Sequence, residues 1–419
     1  MDFRTRNTLS SMDTDLPPNT GVTLAAKWIE QQFTATSDAC HGCLEVKTDT
    51  FTEPADSGPR SRIHVPTTIT NVYAILRGSD PAQASRMYLV TGHYDSRRTD
   101  VMDSHGIAPG ANDDASGTAV SIECARVLSR HHWPATIVFV AVAGEEQGLN
   151  GSRHLAKLAK DEGWQLAGVL NNDIVGGDTT PGDTLQDKTR IRIFSQGIPA
   201  TATPDEIKRT LSLGLESDGP SRELARTVTG VGRTYFHAGV FRPVLEFRLD
   251  RYLRGGDHLS FNQEGFAAVR FTEWRENFDH QHQDVRIESG KQYGDLLKYV
   301  DFNYVANVTK LNAATLATLA SAPAAPEEVR IVTTNLDNDS TLHWKPGAGM
   351  PASAHFDVVW RDTSAPDWQY HQAVTSADTK AAGPDSVTLP LSKDNVIFGV
   401  RACNVAGQCS PAVAPLPQR

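Results

Sequence analysis

Ala135-Thr136-Ile137-Val138-Phe139-Val140-Ala141-Val142 is a run of apolar and β-branched residues, and Gly144-Glu145-Glu146-Gln147-Gly148 stands just beyond it. A strand with water on one face alternates apolar and polar residues. This one does not, so it predicts a strand covered on both faces, as in the parallel sheets of α/β proteins. Working outward, helical spacing over residues 116–129 precedes it, and strands are expected at 71–76 and 87–92. Further upstream, Leu24, Ala25, Trp28, Ile29 and Phe33 recur at helical spacing in residues 21–33, with a loop rich in Thr, Pro, Ser and Gly after them. Downstream come a helix at 151–160, strands at 167–173, 190–195, 244–247 and 267–271, and an alanine-rich helix at 299–319. Alternating elements of this kind predict an α/β fold: a mostly parallel mixed sheet with helices on both faces. In such folds the ligand site lies beyond the carboxyl ends of the strands.

A chain of 419 residues exceeds what one core usually supports, so two domains are expected. Composition shifts at Ser321-Ala322-Pro323-Ala324-Ala325-Pro326, a Pro/Ala linker over 321–326. Beyond it only strand signals occur, at 328–333, 340–344, 354–360, 387–391 and 396–402, so residues 327–419 read as a small β-sandwich following a domain over 1–320. The net charge of −10 argues against nucleic acid or an anionic membrane as partner. No window approaches the roughly 18 consecutive apolar residues of a membrane span.

Five cysteines are present: Cys40 and Cys43 in one local pair, Cys403 and Cys409 in another, and Cys124 in an apolar helical stretch. Two local pairs and one buried thiol fit a secreted or periplasmic protein, whose leader is absent from the sequence, since residues 1–20 carry no apolar signal core. Five reduced thiols would be the alternative. A zinc knuckle at Cys40 and Cys43 is disfavoured, because no second pair follows at finger spacing.

Four polar clusters fall at element ends. Gly92-His93-Tyr94-Asp95-Ser96 closes one strand: a histidine there can ligate a metal while a carboxylate two residues on fixes its tautomer. Ala108-Pro109-Gly110-Ala111-Asn112-Asp113-Asp114-Ala115-Ser116-Gly117 puts two carboxylates at a loop-to-helix junction. Glu145 and Glu146 point in opposite directions past the apolar run, so one could ligate and the other act as a base. Asn171-Asn172-Asp173 ends another strand. Each alone also reads as a solvated turn or helix cap. The fold, however, brings such ends together.

In order and spacing these clusters, with Gly151-Ser152, resemble the co-catalytic zinc aminopeptidases of metallopeptidase family 28, of the bacterial leucyl aminopeptidase type, over roughly residues 1–320. The resemblance implies two zinc ions per chain, one held by His93 and Asp173, the other by Glu146 and a late histidine, with Asp113 bridging. Glu145 would be the general base and Asp95 the partner of His93. Asp114 is expected to hold the loop and start the helix. The late ligand lies in Asn277-Phe278-Asp279-His280-Gln281-His282-Gln283-Asp284. The family's histidine-to-aspartate spacing fits His280 with Asp284, whereas alignment back from the preceding strand favours His282, the residue chosen here. Asp257-His258 matches a motif near the substrate site and is read as supporting structure. Residues 327–419 resemble a fibronectin type III domain, with Val396 where that family carries a tyrosine and a Cys403–Cys409 disulfide as compensation.

The expected function is thus a di-zinc aminopeptidase acting on peptides with a free N-terminus, its accessory domain binding a surface or polymer. A carboxypeptidase, dipeptidase or single-zinc cyclase on the same fold is the enzymatic alternative, and a non-catalytic adhesion protein the other. The insertion at 176–219 is expected to be a surface excursion and not a cover over the site.

Overall fold

The computed structural model describes residues 3–237, 239–334, 336–374, 378–379, 383 and 385–418. Its centre is an eight-stranded sheet built from β1 (Leu44–Glu53), β2 (Thr67–Leu76), β3 (Arg86–His93), β4 (Thr136–Val142), β5 (Gln165–Asn172), β6 (Arg190–Ser195), β7 (Arg242–Glu246) and β8 (Ala268–Glu273). The spatial order is β1-β2-β4-β3-β5-β8-β6-β7. The β4-β3-β5-β8 centre is parallel, while β1, β2 and β6 enter antiparallel pairings, so the sheet is mixed. The opening run is β4, and every one of its seven residues is buried.

Burial on both faces follows from where the helices pack. The helices α1 (Val22–Ala39), α2 (Ala115–Leu128), α5 (Pro220–Tyr235) and α7 (Phe302–Ser321) supply Ile29, Phe33, Val120, Leu224, Val228, Leu311 and Leu316 to one core that also takes Val90 and Phe139. On the other face, α3 (Asn150–Asp161) and α6 (His258–Gln263) contribute Leu155, Ala156 and Phe261 against Leu89, Val138 and Val140. Alternate residues of β3 and β4 therefore enter opposite cores, which is why neither strand tolerates a polar stripe. The remaining helix, α4 (Pro204–Leu213), buries no residue.

Two elements differ from expectation. β1 occupies part of what reads as loop; it lies at the sheet edge, paired with β2 over ten residues, with Glu45, Lys47, Thr48, Thr50 and Thr52 exposed and Val46, Asp49, Phe51 and Glu53 partly buried. α5 lies just after the expected surface excursion. The excursion itself contributes β6 to the sheet and the surface helix α4.

After a short hairpin of β9 (Arg286–Glu288) and β10 (Lys291–Tyr293) and the closing helix, the chain forms two further sheets. One contains β11 (Glu327–Val332), β12 (Ser340–Lys345), β15 (Ser386–Leu389) and β17 (Leu416–Gln418); the other contains β13 (His355–Asp362), β14 (Tyr370–Ala373) and β16 (Val396–Cys403). Their core holds Ile331, Leu342, Trp344, Val358, Val387, Phe398 and Val400. Disulfides join Cys40 to Cys43 and Cys403 to Cys409, and Cys124 is a buried free thiol. Among the described residues no helix is long and apolar enough to cross a membrane.

The C-terminal sheets meet α5 through a buried ionic cluster. Arg361 binds both oxygens of Asp218 at 2.8 and 2.9 Å, Arg226 shares Asp218 at 2.9 Å and also pairs with Glu223, and Trp368 Nε1 donates to Glu223 at 2.9 Å. Arg226 and Arg361 both lie over the Trp368 ring.

Candidate metal centre

β3, β4 and β5 run parallel and end side by side, with His93 opposite Val142 and Thr91 opposite Asn171. The polar residues that follow each strand therefore converge. Asp114 fastens the junction as the N-cap of α2: its carboxylate accepts the N–H groups of Gly117 (2.9 Å), His93 (3.0 Å) and Ile174 (3.2 Å). Three separate chain segments thus share one carboxylate, as expected of a residue that holds the loop and starts the helix. The Asp113–Asp114 peptide bond is cis.

Six side chains gather in two groups whose candidate ligand atoms lie within 4.8 Å of one another: His93, Glu145 and Asp173, and Asp113, Glu146 and His282. Asp113 joins the two. One oxygen lies 3.1 Å from His93 Nε2 and the other 2.9 Å from His282 Nε2. Asp173 stands 3.9 Å from His93 Nε2, and Glu146 stands 3.3 Å from His282 Nε2.

His280 goes elsewhere. Its Nδ1 meets Asp178 at 2.5 Å and its ring stacks on Tyr299 at 3.8 Å, so it braces the loop outside both groups. Asp284 pairs with Arg98.

Asp95 is fully buried and does more than attend His93. Its carboxylate lies 3.4 Å from His93 Nδ1, although the geometric hydrogen bond of that nitrogen is with the Asp95 carbonyl at 3.2 Å. The same carboxylate accepts the N–H of Glu145 (3.4 Å), the N–H of Glu146 (3.2 Å) and the Thr8 hydroxyl (2.9 Å). It therefore couples the histidine strand to the glutamate loop. Asp257 and His258 are wholly buried beneath the site, with His258 Nε2 on the Leu249 carbonyl at 2.9 Å.

Four supporting residues carry no local sequence signal. Asp295 accepts the backbone N–H groups of Asn112 and Asp113. Arg270 binds Asp173 at 2.8 Å, Gln281 donates to Asp113 at 3.1 Å, and Arg6 donates to the carbonyls of Tyr94, Pro109 and Gly110. Only their shared burial around the acidic loops reveals them.

The electrostatics are those of a cation site. Burial raises the Glu145 carboxyl well above its ordinary range, with Asp173 and Glu146 adding to the effect. Against the cost of burial, Glu146 and Asp113 hold a proton on His282 up to about 10, and His282 and His93 keep Asp113 well below the usual carboxylate range. His93 Nε2 is buried facing Asp113 without a hydrogen bond to it, and Glu146 Oε1 is buried with no hydrogen-bond partner. Orphaned imidazole nitrogen and carboxylate oxygen, converging with three further carboxylates, form a donor set suited to zinc. The residues fit such ions.

A cleft of about 570 Å³ opens onto these residues, walled by Arg62, Arg97, Leu149, Arg251, Leu253, Arg254 and Phe278. None of residues 176–219 lines it. The arrangement defines a metal-dependent hydrolase built on an α/β sheet.

Similarity to known proteins sharpens that class. Residues 71–292 match the family described as Peptidase family M28. A probable zinc metalloprotease of Leptosphaeria maculans is 45% identical over 418 residues, spanning 100% of this chain and 92% of that protein. Another, from Pyrenophora tritici-repentis, is 45% identical over 420 residues, spanning 100% and 83%. The chain belongs to peptidase family M28. Its fold is also that of the Legionella pneumophila protein LapA, with a TM-score of 0.50 at 19% identity over 76% of this chain and 70% of that one.

Proposed function

We propose that this peptidase is an exopeptidase that removes N-terminal residues from peptides with two zinc ions. The observation that carries the reading is Asp113, whose two carboxylate oxygens face two different imidazoles, at 3.1 and 2.9 Å. A carboxylate so placed suits a bridge between two cations. In this reading His93 and Asp173 hold one ion, Glu146 and His282 the other, and Asp113 both. When bound, such ions lower the pKa of water toward 7 and polarise a scissile carbonyl.

The chain's own residues supply the proton chemistry. Glu145, half-buried at the cleft floor, takes the proton of the attacking water and delivers it to the leaving amine. Asp95 holds the backbone of Glu145 and Glu146 while facing His93, so base and ligands keep a fixed relation. Residues 327–419 are read as a fibronectin type III-like accessory module that tethers the enzyme to a surface or polymer. Secretion is supported by the two disulfides.

The test is a set of aminoacyl and N-blocked peptides assayed with and without chelator, alongside zinc counted per chain. Two zinc ions and cleavage confined to free N-termini are expected. Equal cleavage of blocked peptides, or one zinc per chain, overturns the reading. Glu145→Ala should retain both ions and lose turnover; most of the activity surviving would remove Glu145 from the role of base.

A further inference from the structure

The walls of the cleft carry four arginines, and their partners divide them. Arg251 is spent: Nε meets Asp250 at 3.0 Å, Nη1 meets Glu276 at 2.9 Å and Nη2 donates to the Gly255 carbonyl at 2.7 Å. Arg254 shares Glu276 at 2.7 Å and lies over the Phe278 ring. Arg62 and Arg97 differ. Arg62 Nη1 donates to the Glu146 carbonyl at 2.6 Å; Arg97 donates Nε to the Arg98 carbonyl at 3.0 Å and Nη2 to the Thr99 carbonyl at 2.9 Å. Among the described residues neither guanidinium has a carboxylate within 4.0 Å.

Neutral carbonyls fix the direction of a guanidinium without cancelling its charge, and that charge persists at every working pH. A lone exposed arginine is simply solvated. Here two held cations border the same cleft as the metal cluster, and one is hydrogen-bonded to the backbone of Glu146 itself. On the proposed reading the carboxylates on the cleft floor are committed to metal ions and the base, which leaves none to answer Arg62 and Arg97. A substrate must bring it.

We propose, on the basis of the exopeptidase reading above, that Arg62 and Arg97 form a carboxylate-binding subsite beside the metal centre. The preferred substrates are then peptides carrying a carboxylate close to the scissile bond. That group is either an acidic side chain on the N-terminal residue or the free C-terminus of a dipeptide. Arginine recognises both through paired N–H donors, and the amide isostere answers neither the charge nor the second acceptor. The side chain's methylenes would lie along Leu149, Leu253 and Phe278.

The experiment compares matched pairs on the zinc-loaded full chain. One arm sets C-amidated peptides beginning with Glu or Asp against those beginning with Gln or Asn. The other sets dipeptides with a free C-terminus against their amides, with a leucyl peptide as neutral reference. In one arm the kcat/KM ratio of carboxylate to amide should reach roughly tenfold or more, the scale of a charge-assisted hydrogen bond. It should fall toward one in the Arg62→Gln, Arg97→Gln double variant. A ratio measured within one preparation is insensitive to the folded fraction. A ratio near one in both arms for the wild-type chain, or a ratio unchanged by the double variant, overturns the subsite. Calorimetric titration of free glutamate against glutamine provides a readout without turnover. If no peptide is cleaved but glutamate binds tenfold tighter and the double variant erases the difference, the subsite stands and the exopeptidase reading falls.

Discussion

Asp295 accepts the backbone N–H of Asp113 at 2.7 Å, and the same carboxylate takes the N–H of Asn112 at 2.9 and 3.0 Å. A residue 182 positions away thus sets the loop whose side chain faces both imidazoles. Replacing Asp295 with Ala leaves two N–H groups without their acceptor. The expected cost is about 1–3 kcal/mol of stability and about 10–100-fold in metal affinity. Denaturant unfolding and competition with a zinc chelator check the two effects separately, and a variant with unchanged zinc affinity would show that the loop holds its shape unaided.

The two late histidines should separate cleanly. His282 lies 2.9 Å from Asp113 and 3.3 Å from Glu146, whereas His280 is tied to Asp178 and stacked on Tyr299. His282→Ala should lower the zinc count and abolish activity. His280→Ala should keep the zinc count and lose about 1–3 kcal/mol of stability, because Oδ2 of the buried Asp178 loses its histidine partner while Oδ1 keeps Thr180 and Asn277. The opposite pattern in metal analysis would exchange the two assignments.

How far the site was legible turns on whether its determinants are local. β3, β4 and β5 were readable because each is a short apolar run cut off by a polar cluster, and a parallel sheet forces those clusters together. Asp295, Arg270 and Gln281 were not, since each acts on a residue far away in the chain and sits in no pattern of its own. The same holds for α5. Its sequence Pro220-Ser221-Arg222-Glu223-Leu224-Ala225-Arg226-Thr227-Val228-Thr229-Gly230-Val231-Gly232 mixes buried charge with Gly and Thr, and the groups that answer Arg226 and Glu223, Asp218 and Trp368, lie outside the helix. β1 was missed because an edge strand in which charged residues and threonines outnumber apolar ones lacks the apolar density of its neighbours.

Close packing at the start of α2 gives a further prediction. A Cβ on Gly117 would meet the Asn172 carbonyl and the Asp114 carboxylate, and one on Gly92 would meet the backbone of Gly117 and Thr118. Neither obstacle is a flexible side-chain end free to swing away from its role. Gly117→Ala and Gly92→Ala should each cost about 1–3 kcal/mol and loosen the bond from His93 N–H to Asp114. Unfolding midpoints and zinc retention would expose the effect; wild-type values for both variants would mean that the strand ends tolerate separation.

The contact between α5 and the C-terminal sheets should depend on pH through Glu223. Burial pushes its carboxyl up to about 7, Arg226 opposes the shift, and Asp218 reinforces it; Arg222, lowered to about 10 by burial and by Arg226, and Trp368 complete its surroundings, with Arg361 held across Asp218. The ordinary value for the unfolded chain is 4.5. Between about 4.5 and 7 the folded protein therefore binds a proton that the unfolded chain has released. Stability from this group falls as pH rises through that window and is flat on either side, with an upper limit of about 3 kcal/mol. Glu223→Gln keeps an oxygen to accept from Trp368 Nε1 and removes the titration. Unfolding free energies at pH 5 and pH 8 should thus differ less for the variant than for the wild type. Parallel pH profiles for the two proteins would show that Glu223 remains ionised beside Arg226 throughout.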